Sequence, residues 1–314
     1  MKRILSALLV GILALAFDGS AFAQETGDPV DAALGFLRTA QNDDGGFSNG
    51  FAPESDLGAT ADAVVAIAAA GQDPGDFVAG EEATPLSALE TQLEAGVAEG
   101  AGQLAKIVTA LAAAGVEASE FGGRDLPAEL LALQAEDGVF GMGAFDHCLS
   151  LIALQNAGVE RPEGAVEALV AAQNEDGGWG FMAGQASDTN TTGLCLQALA
   201  REDTDESVSA ALDYLARIQN KDGGWPYQTP SDFGTLSDAS STAIVIQALA
   251  ALREDLADWN DPQDFLLSLQ EESGAFRYQD EVPGDNILAT IAAIPALAGV
   301  PLNDWAPEPE AGQR

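Results

Sequence analysis

Histidine occurs once in this chain, at His147, and cysteine twice, at Cys148 and Cys195. That is too few for a zinc ribbon or a disulfide scaffold. Basic residues are also scarce: Lys+Arg 12 against Asp+Glu 50, a formal net charge of −38. A polyanion of this kind repels nucleic acid and anionic membrane surfaces, so neither is expected as a partner. The acids are scattered rather than blocked, which argues against a disordered acidic tail. They suit solubility in salty or acidic surroundings, and recognition of a cationic partner is the sharper reading. No D-D-x-x-D set for magnesium and diphosphate is present, and no stretch reads convincingly as a strand. After the first residues no segment is apolar enough to span a membrane.

The opening residues do have that character. Lys2 and Arg3 precede an apolar run from Ile4 to Phe17, and Ala21-Phe22-Ala23 resembles a cleavage site before Gln24. Residues 1–23 are therefore expected to be a cleaved export signal, making the mature chain secreted or periplasmic.

What the sequence has in abundance is repetition. Gln219 to Trp225 reads QNKDGGW, and related blocks run Gln41 to Phe47, Gln134 to Phe140, Gln173 to Trp179 and Gln270 to Phe276. In each, a helical stretch ends at the Gln. The following Gly residues supply the positive φ that stops a helix. A loop follows, then an Ala-rich helix opened by Asp56-x-x-x-Thr60, Asp188-x-x-x-Thr192 or Asp238-x-x-x-Thr242, residue types that cap helices.

Each of these second helices ends in an Ala-Leu or Ala-Ile pair, at Ala66, Ala110, Ala153, Ala198, Ala248 and Ala296, with a period near 45 residues. Six helix pairs of this kind bury their faces on their neighbours. The first helix (30–39) and the last (287–298) are as apolar as the middle ones, which favours a closed ring over an open solenoid. The expected fold is all-α, an (α/α)6 toroid over residues 24–302, with 303–314 as a flexible tail. The Ala-rich inner helices allow close approach and either a central space or a packed centre.

The Gln-x-x-x-Gly-x-aromatic block resembles the QW motif of squalene and oxidosqualene cyclases. The helix-pair ring resembles the toroid that those cyclases share with protein prenyltransferase β subunits and with cobalamin carriers. The resemblance covers about residues 28–302. It implies that the Gln and aromatic side chains stack and tie one outer helix to the next: Gln41, Phe47, Gln134, Phe140, Gln173, Trp179, Gln219, Trp225, Gln270 and Phe276. It speaks for fold more than activity, because the superfamily holds both enzymes and binders. The cyclases' proton donor lies in a D-x-D-D-T-A segment. At the matching place this chain has Gly58, Asn190 or Ser240 after the conserved-type Asp56, Asp188 or Asp238. The prenyltransferases' zinc pattern is matched by Asp146-x-Cys148, but the later His is missing, so no metal or cofactor is expected.

The candidate catalytic residues are Asp146 and His147, at a helix start where other units have Thr; read blandly, Asp146 is one more cap. Candidate ligand-binding residues are the second aromatics Phe181, Tyr227 and Tyr278, read either as core or as a rim, and Thr60, Thr192 and Thr242 with Asp146 and His147. Cys148 and Cys195 fall on adjacent inner helices two residues out of phase, about 200° of rotation, which turns them toward each other and allows a disulfide. The expected function is an exported, non-catalytic binder of an apolar ligand, isoprenoid-like or corrinoid-like. The alternatives are an extracellular protein-interaction module and an enzyme of the terpene cyclase or prenyltransferase kind.

Overall fold

The computed structural model describes residues 27–80, 82–98, 100–232 and 234–306. The expected export signal lies outside them. Twelve α-helices occur among the described residues, in chain order α1 (Pro29–Ala40), α2 (Leu57–Ala69), α3 (Pro85–Glu94), α4 (Ala101–Ala113), α5 (Leu126–Leu131), α6 (Ala144–Asn156), α7 (Ala165–Ala171), α8 (Thr189–Leu199), α9 (Asp205–Ile218), α10 (Ala239–Leu252), α11 (Pro262–Ser268) and α12 (Ile287–Ala298). The only β pairing among those residues is isolated bridges, most of them in the turn blocks and loops.

The even-numbered helices form the inner ring. α2 packs on α4, α4 on α6, α6 on α8, α8 on α10, α10 on α12, and α12 returns to α2. The ring is closed, as the apolar first and last helices require. The odd-numbered helices lie outside: α3 against α2, α5 against α4, α7 against α6, α9 against α8, α11 against α10, and α1 against α12. Because outer and inner helices alternate along the chain, the inner ones run parallel. Their N-termini gather at one end of the toroid, here called the mouth. No described helix is long and apolar enough to cross a membrane.

The turn blocks join these layers. Gln173 Nε2 donates to Gly177 O of its own turn and to Ser207 O in the next outer helix. Gln219 does the same with Gly223 O and Trp259 O, and Gln41 with Gly45 O and Phe77 O. Gln270 closes the circle on Gly274 O and Pro29 O, while Gln134 reaches only its own turn at Gly138 O. The tie between units is thus made by the Gln amide on backbone carbonyls. The aromatics Phe47, Phe140, Trp179, Trp225 and Phe276 are fully buried, and both indoles donate to their own outer helix, at Leu169 O and Leu215 O. Gly177 fits its turn for two reasons: φ is +90°, and a Cβ there would lie 2.2 Å from Ala210 O.

Asn303–Ala306, expected as part of a loose end, are docked across the far end of the ring. Leu302 N donates to Gln197 Oε1, Asn303 Nδ2 to Gln197 O, Gln155 Nε2 to Asn303 O, and Trp305 N to Asn156 Oδ1. Residues 307–314 lie outside the described residues.

Candidate functional site at the mouth of the toroid

Helical phase decides which side chains reach the axis. Thr242 accepts the backbone N–H of Trp225 at 3.0 Å, so its side of α10 faces outward to the turn block. Residues two before it and two after it are rotated by about 160–200° and face the axis. The same frame holds around the ring. Thr60 accepts from Phe47 N, Thr192 from Trp179 N and Thr290 from Phe276 N.

The axis-facing residues form layers. Nearest the mouth are Gly58, Gly102, Phe145, Asn190, Ser240 and Leu288, all partly accessible. One turn in lie Asp62, Lys106, Leu149, Leu194, Ile244 and Ala292, of which Asp62, Lys106, Ile244 and Ala292 remain partly accessible and Leu149 and Leu194 are buried. A further turn in lie Val65, Thr109, Ile152, Gln197, Gln247 and Pro295, all buried. The axis is therefore a shallow funnel, open at the mouth and closed at the third layer. Close approach of the inner helices narrows it: a Cβ on Gly193 would stand 3.3 Å from Ile244 O.

The second aromatics stand at the rim. Thr189 N donates to Tyr227 O and Ala239 N to Tyr278 O, which lays each aromatic loop over the start of the preceding inner helix. Phe181 and Phe145 are in ring contact at 5.1 Å. Most of the large apolar side chains left exposed belong to these loops: Phe51, Met142, Phe181, Tyr227, Leu236 and Val282. The rim is uneven. Long segments, 41–56, 172–188, 219–238 and 269–286, lead into α2, α8, α10 and α12, but α4 is entered by 95–100 alone. Into α6, after Phe140, only Gly141, Met142 and Gly143 intervene. The wall is low over α4 and α6.

Two buried carboxyls lie at the mouth. Asp188 and Asp238 cap α8 and α10, each accepting from a backbone N–H and a hydroxyl, those of Thr191 and Ser241. Burial raises both above the usual carboxylate range, Asp238 to about 6, against the lowering effect of these hydrogen bonds. Tyr278 beside Asp238 is pushed up to about 12, first by its burial and then by that carboxyl.

The predicted residues divide accordingly. Phe181, Tyr227 and Tyr278 come together around the mouth. Thr60, Thr192 and Thr242 do not: they face outward, are fully buried and hold the turn block to the inner helix. His147 occupies the Thr place of the third unit. Its Nδ1 accepts from Phe140 N at 3.1 Å, which leaves Nε2–H to donate to Ala165 O at 2.8 Å. Burial lowers its pKa and keeps it neutral. Asp146 is partly accessible and accepts from Met142 N, while His147 points the other way, so the two form no acid–base pair. Cys148 and Cys195 are bonded to each other between α6 and α8. No cluster able to hold a metal occurs among the described residues. Residues 58, 190 and 240 do reach the funnel, as Gly, Asn and Ser. The ion pair between Lys106 and Asp62, at 2.5 Å, was not foreseen.

The sequence matches the prenyltransferase alpha-alpha toroid domain over residues 4–95 and 144–298. No curated protein matches it. Among solved structures, the type II terpene cyclase MstE from Scytonema is similar at a TM-score of 0.63 and 17% identity, covering 86% of this chain and 96% of that one. A variant of that cyclase in complex with its substrate, geranylgeranyl dihydroxybenzoate, gives 0.61 and 16%, covering 86% and 96%. A structure described as a wild-type glycosidase gives 0.60 and 12%, covering 89% and 97%. At these identities the likeness is one of fold.

Proposed function

Because the chain belongs to the prenyltransferase alpha-alpha toroid domain family, we propose that it is an exported protein that holds an apolar ligand at the mouth of its toroid without transforming it. The observation that carries this reading is the funnel itself. Its rim offers exposed aromatic and aliphatic side chains, and its wall presents the partly accessible Phe145, Ile244, Leu288 and Ala292. An isoprenoid buries apolar surface on such a rim at about 25 cal/mol per Å². The terpene cyclase with its geranylgeranyl substrate, on the same fold, supports an isoprenoid-like ligand.

Catalysis is a different demand. Protonating an alkene takes a strong acid aimed into the cavity. The funnel positions that the cyclase resemblance assigns to that acid are Gly58, Asn190 and Ser240. Asp188 and Asp238 are weaker acids than usual and their oxygens are engaged in capping. A cyclase-type enzyme is the second reading, favoured by the fold and by Asp238 standing next to Tyr278 at the mouth.

The test is native mass spectrometry of the mature chain after exposure to a lipid extract, compared with the denatured mass of the same sample. We expect a mass excess that disappears on denaturation and is lost in Ala292→Phe, which fills the second layer of the funnel. Chemical analysis of the released ligand should return it unchanged. A cyclised product moves the protein to the enzyme reading, and a bare mass under saturating lipid removes the ligand reading.

A further inference from the structure

The funnel is two-sided. On the α2 and α4 side it presents Gly58, Asp62, Gly102 and Lys106; on the α6 to α12 side its wall is mainly apolar. The α4 part of the polar side lies under the low rim, while α2 is entered by the long segment 41–56. Lys106 donates to Asp62 across exactly one repeat, with 26% and 40% of the two side chains exposed. Gly58 borders the ammonium group: a Cβ there would lie in ordinary contact with Lys106 Nζ at 3.8 Å and more tightly against Asp56 Oδ1 at 3.3 Å. Gly102 makes room for Asp146, whose Oδ1 would stand 2.4 Å from a Cβ. A larger residue at either glycine would cover the pair.

Three further oxygens face the same shaft without a hydrogen-bond partner: Thr109 Oγ1 and Gln247 Oε1 in the third layer and Asn190 Oδ1 in the first. Thr109 and Gln247 are 1% and 5% exposed. Unpaired polar atoms in such a place are costly, and natural interiors keep few of them.

The chemistry of the polar side restricts what it binds. Asp62 pairs with Lys106, Asp56 Oδ1 and Lys106 Nζ lie 3.3 and 3.8 Å from the Gly58 Cβ position, Asp146 stands over Gly102, and the whole molecule is strongly negative. A diphosphate or carboxylate would meet an ammonium already paired with Asp62, with further carboxylates close by. A cationic head would have to compete with Lys106 for Asp62, while Asp56 and Asp146 are already held by backbone N–H groups. A neutral group that both donates and accepts satisfies each member of the pair without displacing the other. The funnel is also shallow, with successive layers about 6 and then about 4.5 Å apart. A prenyl chain does not fit within it, but a head group does.

Resting on the ligand reading above, we propose that the ligand is a neutral amphiphile, a prenyl or other long-chain alcohol, that enters head first. Its hydroxyl donates to Asp62 and accepts from Lys106, while its chain leaves over the low rim at α6, beside Phe145 and the Phe181 ring packed on it.

Binding is measured on the full mature chain with geranylgeraniol, geranylgeranyl diphosphate and a hydrocarbon of the same length. The wild type should bind the alcohol at least tenfold more tightly than either of the others. The double variant Lys106→Met with Asp62→Leu removes the pair without stranding a charge. It should keep hydrocarbon binding and lose the preference for the alcohol. The head-group proposal is overturned if the diphosphate binds as tightly as the alcohol, or if the double variant retains the preference. If all three probes fail on folded wild type, the ligand reading itself falls, a result distinct from binding without head-group discrimination.

Discussion

Asp238 is a carboxyl held in the protein at a cost. Its pKa in the folded chain is raised to about 6, chiefly by burial, against about 3.9 when unfolded. Between those values the folded state binds more protons than the unfolded one. The contribution to stability is therefore complete below about pH 4 and lost as the pH rises through 6. Asp238→Asn keeps a capping side chain and removes the titration. We expect wild type to lose up to about 3 kcal/mol more than this variant between pH 4 and pH 7. Denaturant unfolding across that range measures it, and parallel profiles would refute the assignment.

At the same scale, the sequence could have told more about the threonines. Thr242 stands seven residues before Leu249, two turns along the same face, and Leu249 belongs to the buried Ala-Leu pair. Thr242 therefore had to face outward, as did His147, seven before Leu154. The aromatic spacing carried the opposite lesson. Residues two apart in an extended loop share a side in isolation, yet Trp225 is buried while Tyr227 is exposed. The loop turns onto the neighbouring helix between them, and only tertiary packing fixes that turn.

At the scale of the element, the cysteines show how far register can be read. Their repeat phase placed them on facing sides of adjacent helices, and they are bonded, 47 residues apart. In the chain-entropy account, closing a loop of that length stabilises by about 4 kcal/mol. Thiol titration of the unfolded, unreduced protein should find no free thiol. Reduction should lower the denaturant midpoint with little change in the funnel, because both sulfurs lie between helices rather than on the axis stripe. The ion pair between α2 and α4 was not readable in the same way. Its partners are separated by one repeat, but pairing them needs the knowledge that both stripes face inward, and that follows only once the ring is closed.

For the whole molecule, closure is the property on which the rest depends. The period, the helix pairs and the apolar terminal helices were all legible, because each repeat must bury its face on a neighbour. The depth of the axis was not legible, since it depends on the size of side chains meeting from six different units. Closure also makes the first helix a structural keystone. Leu37 on α1 is fully buried in the cluster shared with α2, α10 and α12. Leu37→Ala should cost about 2–5 kcal/mol. In an open array the end unit would fray by itself; here heating should still give one cooperative transition at a lower temperature. A separate early transition confined to the first unit would argue against the closed ring.

The segment laid across the far end of the inner helices has a consequence for traffic. With Gln197 and Asn156 engaged by Leu302, Asn303 and Trp305, and the third layer filled, the shaft is a cul-de-sac and not a conduit. Whatever occupies it must leave by the door through which it came. For the ligand proposed above, entry and release then share one opening, so a second molecule cannot push the first through.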